Sequence, residues 1–346
     1  MSLTQRLGIE LPILQAPMAG VQGSALAIAV AEGGGLGALP CAMLTPQAMS
    51  DELDRIRAQT TGPLNVNFFC HLPPEPDSAR DARWHQALAP YYAELGLDID
   101  SVSSGAGRRP FDDQACDVLE TFRPEVVSFH FGLPSPALLE RVKAWGATVL
   151  SSATTVEEAL WLEANGADAV IAQGLEAGGH RGMFLTEDLT TQVGTLALLP
   201  QVKAAVTLPV IAAGGIADAR GVASALALGA DAVQVGTAFL CCPEATTSPL
   251  HRRALQSDAA RHTALTNLYT GRPARGIVTR LMRELGPISP LAPAFPLATA
   301  AIGPLRSAAE ALGSGDFSPL WAGQNASGCR EVPAAELLRE LASEIS

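Results

Sequence analysis

The segment with the clearest chemical character is a glycine-rich loop that ends in a histidine, Gln173-Gly174-Leu175-Glu176-Ala177-Gly178-Gly179-His180. A histidine that directly follows two glycines has little packing to do. Imidazole titrates near neutral pH, so it can transfer a proton or bind an anion. We therefore predict that His180 is a reacting residue; the alternative is an incidental loop histidine.

The other five histidines give weaker signals. His130 lies in the apolar segment 126–132, where it is either a hydrogen-bonded core histidine or, if its side chain points toward the active face, a ligand contact. His71 follows another apolar segment and is a weaker candidate. The remaining three are predicted to be surface residues: His85, His251 and His262.

Several amides lie in apolar segments. Asn65 and Asn67 share one face of a predicted strand by its period of two, and Gln173 and Gln234 lie near the ends of two other predicted strands. Buried amides need hydrogen-bond partners, which an uncharged heterocycle can provide. A metal site would need clustered His, Asp and Glu, and the sequence has no such cluster.

Positioning these residues requires a scaffold, and the sequence alternates predicted strands with predicted helices. Eight such alternations by about residue 257 favour a parallel sheet closed into a (β/α)8 barrel. The predicted strands are residues 13–19, 36–40, 64–69, 126–132, 148–153, 169–174, 209–215 and 232–240. The predicted helices between them are residues 24–32, 45–56, 112–122, 136–145, 155–165, 191–206 and 217–228.

Glycines follow several of these strands. Glycine accepts positive φ and lets a ligand approach the backbone. In a barrel, phosphate commonly binds the loops after strands seven and eight, which here contain Gly214-Gly215 and Gly236-Thr237. The alternative for each glycine is a tight turn. The run Gly33-Gly34-Gly35-Leu36-Gly37-Ala38 follows a helix and precedes a strand, the reverse of a dinucleotide-binding fingerprint, so we interpret it as a helix stop.

The predicted barrel covers residues 1–257, with a rim insertion at about 71–110 that is rich in Pro, Asp, Arg and Gly and is partly helical. Residues 258–346 contain helical patterns near 304–312 and 334–345 and no predicted strand. We expect this tail to form a smaller, mostly helical cap and substrate-binding region, with its end, about 318–346, packing back on the barrel.

Composition excludes several classes of protein. The chain has 346 residues, of which 48% are hydrophobic and 17% charged, so it can bury a large core. Its net charge is −12 and no basic run occurs, so neither nucleic acid nor an anionic membrane is an expected partner. Six scattered cysteines without a C-x-x-C motif, and no signal peptide, predict reduced thiols in a cytoplasmic protein.

At the level of whole motifs, the chain resembles the nitronate monooxygenases, once called 2-nitropropane dioxygenases, and specifically their bacterial class I. The match extends over essentially the whole length, and the tail motifs discriminate best among related flavoenzymes. The matching motifs are QAPMAG at 15–20, NVNFF at 65–69, the histidine loop at 173–182, AAGGI at 212–216, QVGT at 234–237, GRPARG at 271–276 and LWAGQ at 320–324.

The resemblance implies a TIM barrel that binds FMN and oxidises alkyl nitronates with O2 to an aldehyde or ketone and nitrite. Propionate 3-nitronate is the substrate that it implies, with electron transfer through a flavin semiquinone and no requirement for nicotinamide. In this family pattern His180 binds the nitro oxygens, or acts as a base if a neutral nitroalkane is accepted. His130 gives a second substrate contact and Gln324 caps the site from the tail. The state of assembly expected is a monomer or homodimer.

The resemblance also implies a set of flavin-binding positions. Asn67 and Gln173 would bond the flavin ring, whereas Gly178, Gly215 and the segment 234–237 would hold the phosphate through backbone groups. The full set is Ala16, Pro17, Met18, Asn67, Gln173, Gly178, Gly179, Gly214, Gly215, Gln234, Val235, Gly236 and Thr237.

Two alternatives stay open on the sequence. The first is an NADH- or NADPH-dependent FMN reductase of the same superfamily, acting on an enoyl thioester or a quinone, because it shares the histidine loop. The second is a barrel without flavin that binds a phosphorylated metabolite, as a sensor, isomerase or lyase. That alternative leaves Asn67, Gln173 and Gln234 without an evident role.

Overall fold

A computed structural model describes residues 1–102 and 107–345. The described residues form eleven strands: β1 (Ile13–Gln15), β2 (Gly37–Pro40), β3 (Leu64–Phe69), β4 (Val126–His130), β5 (Thr148–Ala153), β6 (Ala169–Gln173), β7 (Gly179–His180), β8 (Val210–Ala213), β9 (Ala232–Val235), β10 (Thr263–Thr266) and β11 (Ala274–Ile277). They also form thirteen α-helices: α1 (Leu3–Leu7), α2 (Ser24–Glu32), α3 (Pro46–Gln59), α4 (Ser78–Glu94), α5 (Asp113–Phe122), α6 (Pro136–Ala144), α7 (Val156–Ala164), α8 (Thr195–Ala205), α9 (Ala219–Ala227), α10 (Pro249–Leu255), α11 (Arg280–Leu285), α12 (Thr299–Ala311) and α13 (Ala334–Leu341). Short 3-10 helices cover Ile99–Ser101, Leu189–Thr191, Thr237–Cys241 and Asp258–Arg261.

Eight parallel strands form the barrel, in the order β1-β9-β8-β6-β5-β4-β3-β2. A parallel bridge between Leu14 and Leu36 joins the two outer strands of that order. The N–H of Gln15 donates to the Leu36 carbonyl at 3.0 Å, and the N–H of Leu36 donates to the Ile13 carbonyl at 3.0 Å. The sheet therefore curves back on itself, and the (β/α)8 barrel predicted from the sequence is confirmed.

Two layers of apolar side chains surround the strands. Leu14, Leu150 and Ile211 belong to the cluster that fills the barrel, whereas Ile13 and Val170 belong to the cluster between the strands and the outer helices. Strands that are buried on both faces have continuous apolar sequences, as expected for a parallel sheet under helices. This continuity explains why the positions of all eight strands were predictable.

Two barrel strands are shorter than predicted by four residues or more. The first ends at Gln15 rather than residue 19, and the last barrel strand ends at Val235 rather than residue 240. Pro17 has no N–H to donate to a neighbouring strand. Gly236 turns the chain into the 3-10 helix Thr237–Cys241. Both segments thus leave the sheet and cross the mouth of the barrel.

The rim insertion contains one long helix, α4, which starts after the capping carboxylate of Asp77. This helix packs on the tail, where Trp84 and Tyr92 share an apolar cluster with Leu305. The Tyr92 hydroxyl donates to the Ala301 carbonyl at 2.6 Å. The insertion and the tail therefore form one layer over the barrel. Residues 103–106 of the predicted insertion lie outside the described residues.

The tail is not strand-free, so that prediction is wrong. Strands β10 and β11 form an antiparallel hairpin, and β11 also pairs with β7 of the histidine loop. Each strand has only four residues or fewer, and such short segments carry little periodicity. Further along, Leu337 and Leu338 of α13 belong to the same core cluster as Leu26 of α2. No helix among the described residues is long and apolar enough to cross a membrane.

Candidate active site

One pocket opens at the carboxyl ends of the barrel strands, where the catalytic face of such a barrel lies. We divide its lining into two parts that differ in chemistry. The glycine end consists of Gly178, Gly214, Gly215, Gly236, Thr237 and Gly323. The aromatic end consists of Phe69, Arg108, His130, His180 and Trp321.

Most of the predicted site residues lie together in this lining. They are Ala16, Pro17, Met18, Asn67, His130, Gln173, Gly178, Gly179, His180, Gly214, Gly215, Gln234, Gly236 and Thr237. Val235 is fully buried away from the pocket, and its carbonyl accepts a bond from Ala16 at 2.8 Å. Gln324 is exposed and does not line the pocket, which corrects its assignment as a cap; its neighbours Gly323 and Asn325 line the pocket instead.

The glycine end presents backbone rather than side chains. Gly214 and Gly215 have φ of +122° and +72°, a region that disfavours other residues. A Cβ on Gly178 would lie 2.5 Å from the Gly323 nitrogen, so only glycine allows this approach. The backbone N–H groups of Gly215, Gly236 and Thr237 donate to no acceptor among the described residues. These free donors can bind an anionic group such as phosphate.

The amides differ in how much hydrogen-bonding capacity they have left. Gln234 Oε1 is buried without a partner among the described residues. The Asn67 side-chain nitrogen donates to Ser128 Oγ at 2.9 Å, which leaves its oxygen free of protein donors. Gln173 donates to the His180 carbonyl at 3.0 Å and accepts from the Gly182 N–H at 2.8 Å. Gln234 and Asn67 can therefore bind a ligand ring, whereas Gln173 is occupied in shaping the loop.

The histidine loop is held by the tail and by a buried arginine. His180 pairs with Ala274 of β11, and the Arg181 N–H donates to the Pro273 carbonyl at 2.9 Å. The Arg181 guanidinium, which is fully buried, donates to the carbonyls of Gly174 at 2.6 Å and Gln173 at 2.8 Å. The backbone on both sides of the loop is thereby fixed, so His180 has a defined position.

The His180 ring is uncharged at neutral pH. Burial lowers its pKa well below the usual value, and the positive charges of Arg108 and Arg272 lower it further. Its Nε2 lies 3.0 Å from Thr270 Oγ1, so Nδ1 is the ring atom left for a ligand. The sequence predicted that the His180 imidazole titrates near neutral pH. In the structure its lowered pKa keeps the ring uncharged there.

His130 has a different role from the one predicted. Its Nδ1 lies 3.0 Å from Ser152 Oγ, and its Nε2 donates to the His180 carbonyl at 3.1 Å. Burial lowers its pKa to about 4, so the ring is neutral. Because both nitrogens are bonded within the protein, His130 positions the His180 backbone rather than offering a polar contact to substrate.

Aromatic rings back this end of the pocket. Phe295 lies 5.3 Å from the His180 ring and 5.9 Å from the Phe69 ring, centroid to centroid. Phe131 has a φ of +71°, which is uncommon for a residue with a Cβ, and the Arg272 guanidinium lies 4.0 Å from its ring centroid. These contacts surround His180 largely with apolar ring surface.

Several site residues could not be recognised in the sequence. His251 was predicted to be at the surface, but it is buried, lines the pocket and bonds the Trp321 carbonyl at 3.1 Å. Burial lowers its pKa to about 4. Arg108 lies in the insertion, where the sequence has no matching motif, and Thr270 directly precedes the GRPARG motif without belonging to it. Each enters the site only through the packing of the insertion and the tail on the barrel.

Comparison with known proteins agrees with this geometry. The family model for nitronate monooxygenase matches residues 1–344. A nitronate monooxygenase from Pseudomonas aeruginosa is 45% identical over 344 residues, covering 99% of this chain and 98% of that protein. A solved nitroalkane oxidase from Streptomyces ansochromogenes is 43% identical, with a TM-score of 0.89 over 97% of this chain and 96% of that one.

A more distant structure, FabK from Thermotoga maritima, is 28% identical with a TM-score of 0.72, covering 99% of this chain and 96% of that one. The family match spans the barrel, the insertion and the tail, so it includes every element that forms the pocket. The chain belongs to the nitronate monooxygenase family, whose members are flavin-dependent oxidoreductases.

Proposed function

We propose that this enzyme uses FMN and O2 to oxidise alkyl nitronates, propionate 3-nitronate among them, to a carbonyl compound and nitrite. The observation that carries the proposal is the charge of the pocket. No Asp or Glu is present among the described residues that line it, and Arg108 is their only Lys or Arg. A nitronate is an anion, and this lining admits an anion without repulsion although the chain as a whole carries a net charge of −12.

The residues fit FMN on two counts. The free backbone donors of Gly215, Gly236 and Thr237 suit a single terminal phosphate. The unpartnered Gln234 Oε1 suits a donor on the edge of a heterocyclic ring. When bound, a flavin supplies a one-electron acceptor that can pass electrons on to O2. The protein supplies the position and the surroundings of the substrate.

In this proposal His180 binds the substrate as a neutral hydrogen-bond donor. The proposal requires the tautomer in which the Thr270 hydroxyl, 3.0 Å from His180 Nε2, donates to that nitrogen instead of to the Arg272 carbonyl at 3.4 Å. That arrangement leaves the proton on Nδ1, where it can be donated to a nitro oxygen. A nitronate is already deprotonated, so no base is required; with a neutral nitroalkane the other tautomer could accept a proton at Nδ1.

The surrounding groups orient His180 and limit the access of water. His130 and Gln173 both donate to its carbonyl, which holds the loop at a fixed distance from the barrel. Phe69 and Trp321 line the pocket beside the imidazole. A site with little water strengthens the hydrogen bond from a neutral donor to an anion.

A visible spectrum followed by two anaerobic additions tests the proposal. We expect flavin absorbance in the purified protein, FMN as the released cofactor, and bleaching by propionate 3-nitronate but not by NADH. Nitrite should form when O2 is readmitted with substrate in excess. A protein that contains flavin yet is not reduced by any nitronate would refute the proposal.

The reductase alternative keeps some support from the 28% identity to FabK over 99% of this chain. Fast anaerobic bleaching by NADH or NADPH would favour it. Absence of flavin absorbance would favour the phosphate-binding barrel. We further propose that the protein is cytoplasmic, since all six cysteines are free thiols. We also propose that it is a monomer or homodimer, which size-exclusion chromatography with light scattering measures.

A further inference from the structure

Four arginines around the site have no carboxylate partner among the described residues, and three of them are satisfied in other ways. Arg181 bonds two carbonyls and Gln192. Arg272 donates to the Met183 carbonyl at 2.6 Å, and Arg275 donates to the Leu175 carbonyl at 3.0 Å. These three arginines therefore stabilise backbone segments by hydrogen bonds to their carbonyls. The fourth, Arg108, differs because its side chain lines the pocket.

Arg108 makes a single side-chain hydrogen bond among the described residues, from Nη1 to Thr299 Oγ1 at 3.2 Å. A guanidinium carries five N–H donors, so most of its capacity remains unused. Burial lowers the pKa of Arg108 to about 10, with a further lowering by Arg306, yet the group stays charged at neutral pH. A half-buried cation without a counter-charge is costly unless a ligand supplies the counter-charge.

The position of Arg108 relative to His180 indicates which part of a ligand it would meet. Phe295 lies next to both, with its ring centroid 5.3 Å from that of His180 and 6.0 Å from Arg108 Cζ. Thr299 of the tail holds the Arg108 side chain. The guanidinium is thus held in the same pocket as His180, on the other side of a shared contact with Phe295, so a short substrate that binds His180 at one end would meet Arg108 with its remote end.

We propose that Arg108 is the specificity-determining residue of this site and binds a carboxylate at the end of the substrate remote from the nitronate. The inference rests on the proposed function in taking the nitronate as the group beside His180. A guanidinium matches a carboxylate in a two-bond fork, which a neutral alkyl chain cannot replace. The enzyme therefore favours carboxylate-bearing nitronates over simple alkyl nitronates.

Equilibrium binding tests this without any turnover. Succinate has the shape and both charges of propionate 3-nitronate, and butyrate has the same chain length with one charge. By calorimetry on the purified flavin-loaded protein, we expect succinate to bind on the order of 30-fold more tightly than butyrate, and Arg108→Gln to abolish that preference. The matched control is Arg306→Gln, because Arg306 is exposed, pairs with Glu310 and does not line the pocket.

Three outcomes would overturn the proposal. The first is an Arg108→Gln protein that still prefers succinate while its circular-dichroism melting curve matches the wild type. The second is an equal loss of preference in Arg306→Gln. The third is inorganic phosphate binding as tightly as succinate in an Arg108-dependent manner, which would make this a general anion site. Arg108→Lys should retain part of the preference, because the charge remains and the fork is lost.

Steady-state kinetics with two nitronates distinguish a failure of this inference from a failure of the proposed function. The nitronate of 3-methyl-1-nitrobutane is an isostere that keeps the nitronate charge and has two methyl groups in place of the carboxylate oxygens. We expect Arg108→Gln to raise KM for propionate 3-nitronate on the order of 30-fold and to leave KM for the isostere unchanged. If the wild type oxidised neither compound, the proposed function would fail, whereas the succinate measurement would still decide the role of Arg108.

Discussion

The two ends of the pocket differ in the groups that they offer to a ligand and in the parts of the chain that supply those groups. The glycine end offers backbone N–H groups and no charged side chain, and all its residues except Gly323 of the tail follow strands of one barrel. The aromatic end offers side chains from the barrel, the insertion and the tail. Backbone donors recognise any phosphate in the same way, whereas side chains can select one substrate. Under the proposed function, the glycine end would therefore accept the phosphate of the cofactor through backbone alone, and the aromatic end would select the substrate through side chains.

The largest effect should come from closing the glycine end. In Gly215→Val, a β-branched side chain is forced to a φ of +72° and its Cβ lies 3.2 Å from Glu176 Cβ. We expect flavin affinity to fall by more than roughly 100-fold, since two or more charge-assisted bonds of about 1.5–3 kcal/mol each are lost. Flavin content per folded protein, from the ratio of visible to ultraviolet absorbance, measures this.

Gly146→Val is the matched control for that substitution. Gly146 has a φ of +89°, a Cβ added there would meet open space, and the residue lies outside the pocket. This variant should lose similar backbone stability and keep its flavin. Full flavin occupancy in the Gly215→Val protein would show that this loop does not hold the phosphate.

At the aromatic end, His180→Asn should leave the flavin bound and impair the reaction. Loss of a preorganised donor to the anion should cost on the order of 2–4 kcal/mol in transition-state stabilisation, seen as a lower kcat/KM for propionate 3-nitronate. His262→Asn is the control, because His262 is exposed and remote from the pocket lining. Unchanged turnover in His180→Asn would mean that the substrate does not bind beside this ring.

The smallest effect concerns stability rather than catalysis. The pKa of His130 is lowered from 6.5 to about 4 by burial, so between these values the unfolded chain binds more protons than the folded one. The contribution of neutral His130 to the free energy of unfolding is therefore fully present above pH 6.5 and is lost as the pH falls toward 4. For this histidine alone we expect the free energy of unfolding to drop by about 2 kcal/mol between pH 7 and pH 5.

Urea denaturation at both pH values measures that drop in the wild type and in His130→Gln. The variant should be less stable at pH 7 and should lose less stability on acidification. His262→Gln, at an exposed position, should follow the wild type at both pH values. If His130→Gln and the wild type lost equal amounts, the acid sensitivity would belong to other buried histidines, such as His71 and His251.

Much of the glycine end could be predicted from the sequence because it depends on local features. An apolar run followed by glycine marks both a strand and its exposed end, as at Gly214-Gly215 and Gly236. Once the strands form a barrel, these ends meet at the same mouth. Gln324 shows the limit of such reasoning. Its motif lies at the pocket, but which neighbouring side chain faces inward depends on backbone direction, and here Asn325 faces it while Gln324 faces solvent.

By itself, the sequence determined the barrel, the approximate positions of its strands and the loop that carries His180, because apolar periodicity and glycine placement are encoded over short stretches. Only the tertiary structure decided what surrounds that histidine. The β7–β11 pairing, the Thr270 bond and the placement of Arg108 join segments that are 90 to 191 residues apart, and no local pattern specifies such contacts. Burial then set the neutral charge state of His180, since desolvation depends on every element that packs around it.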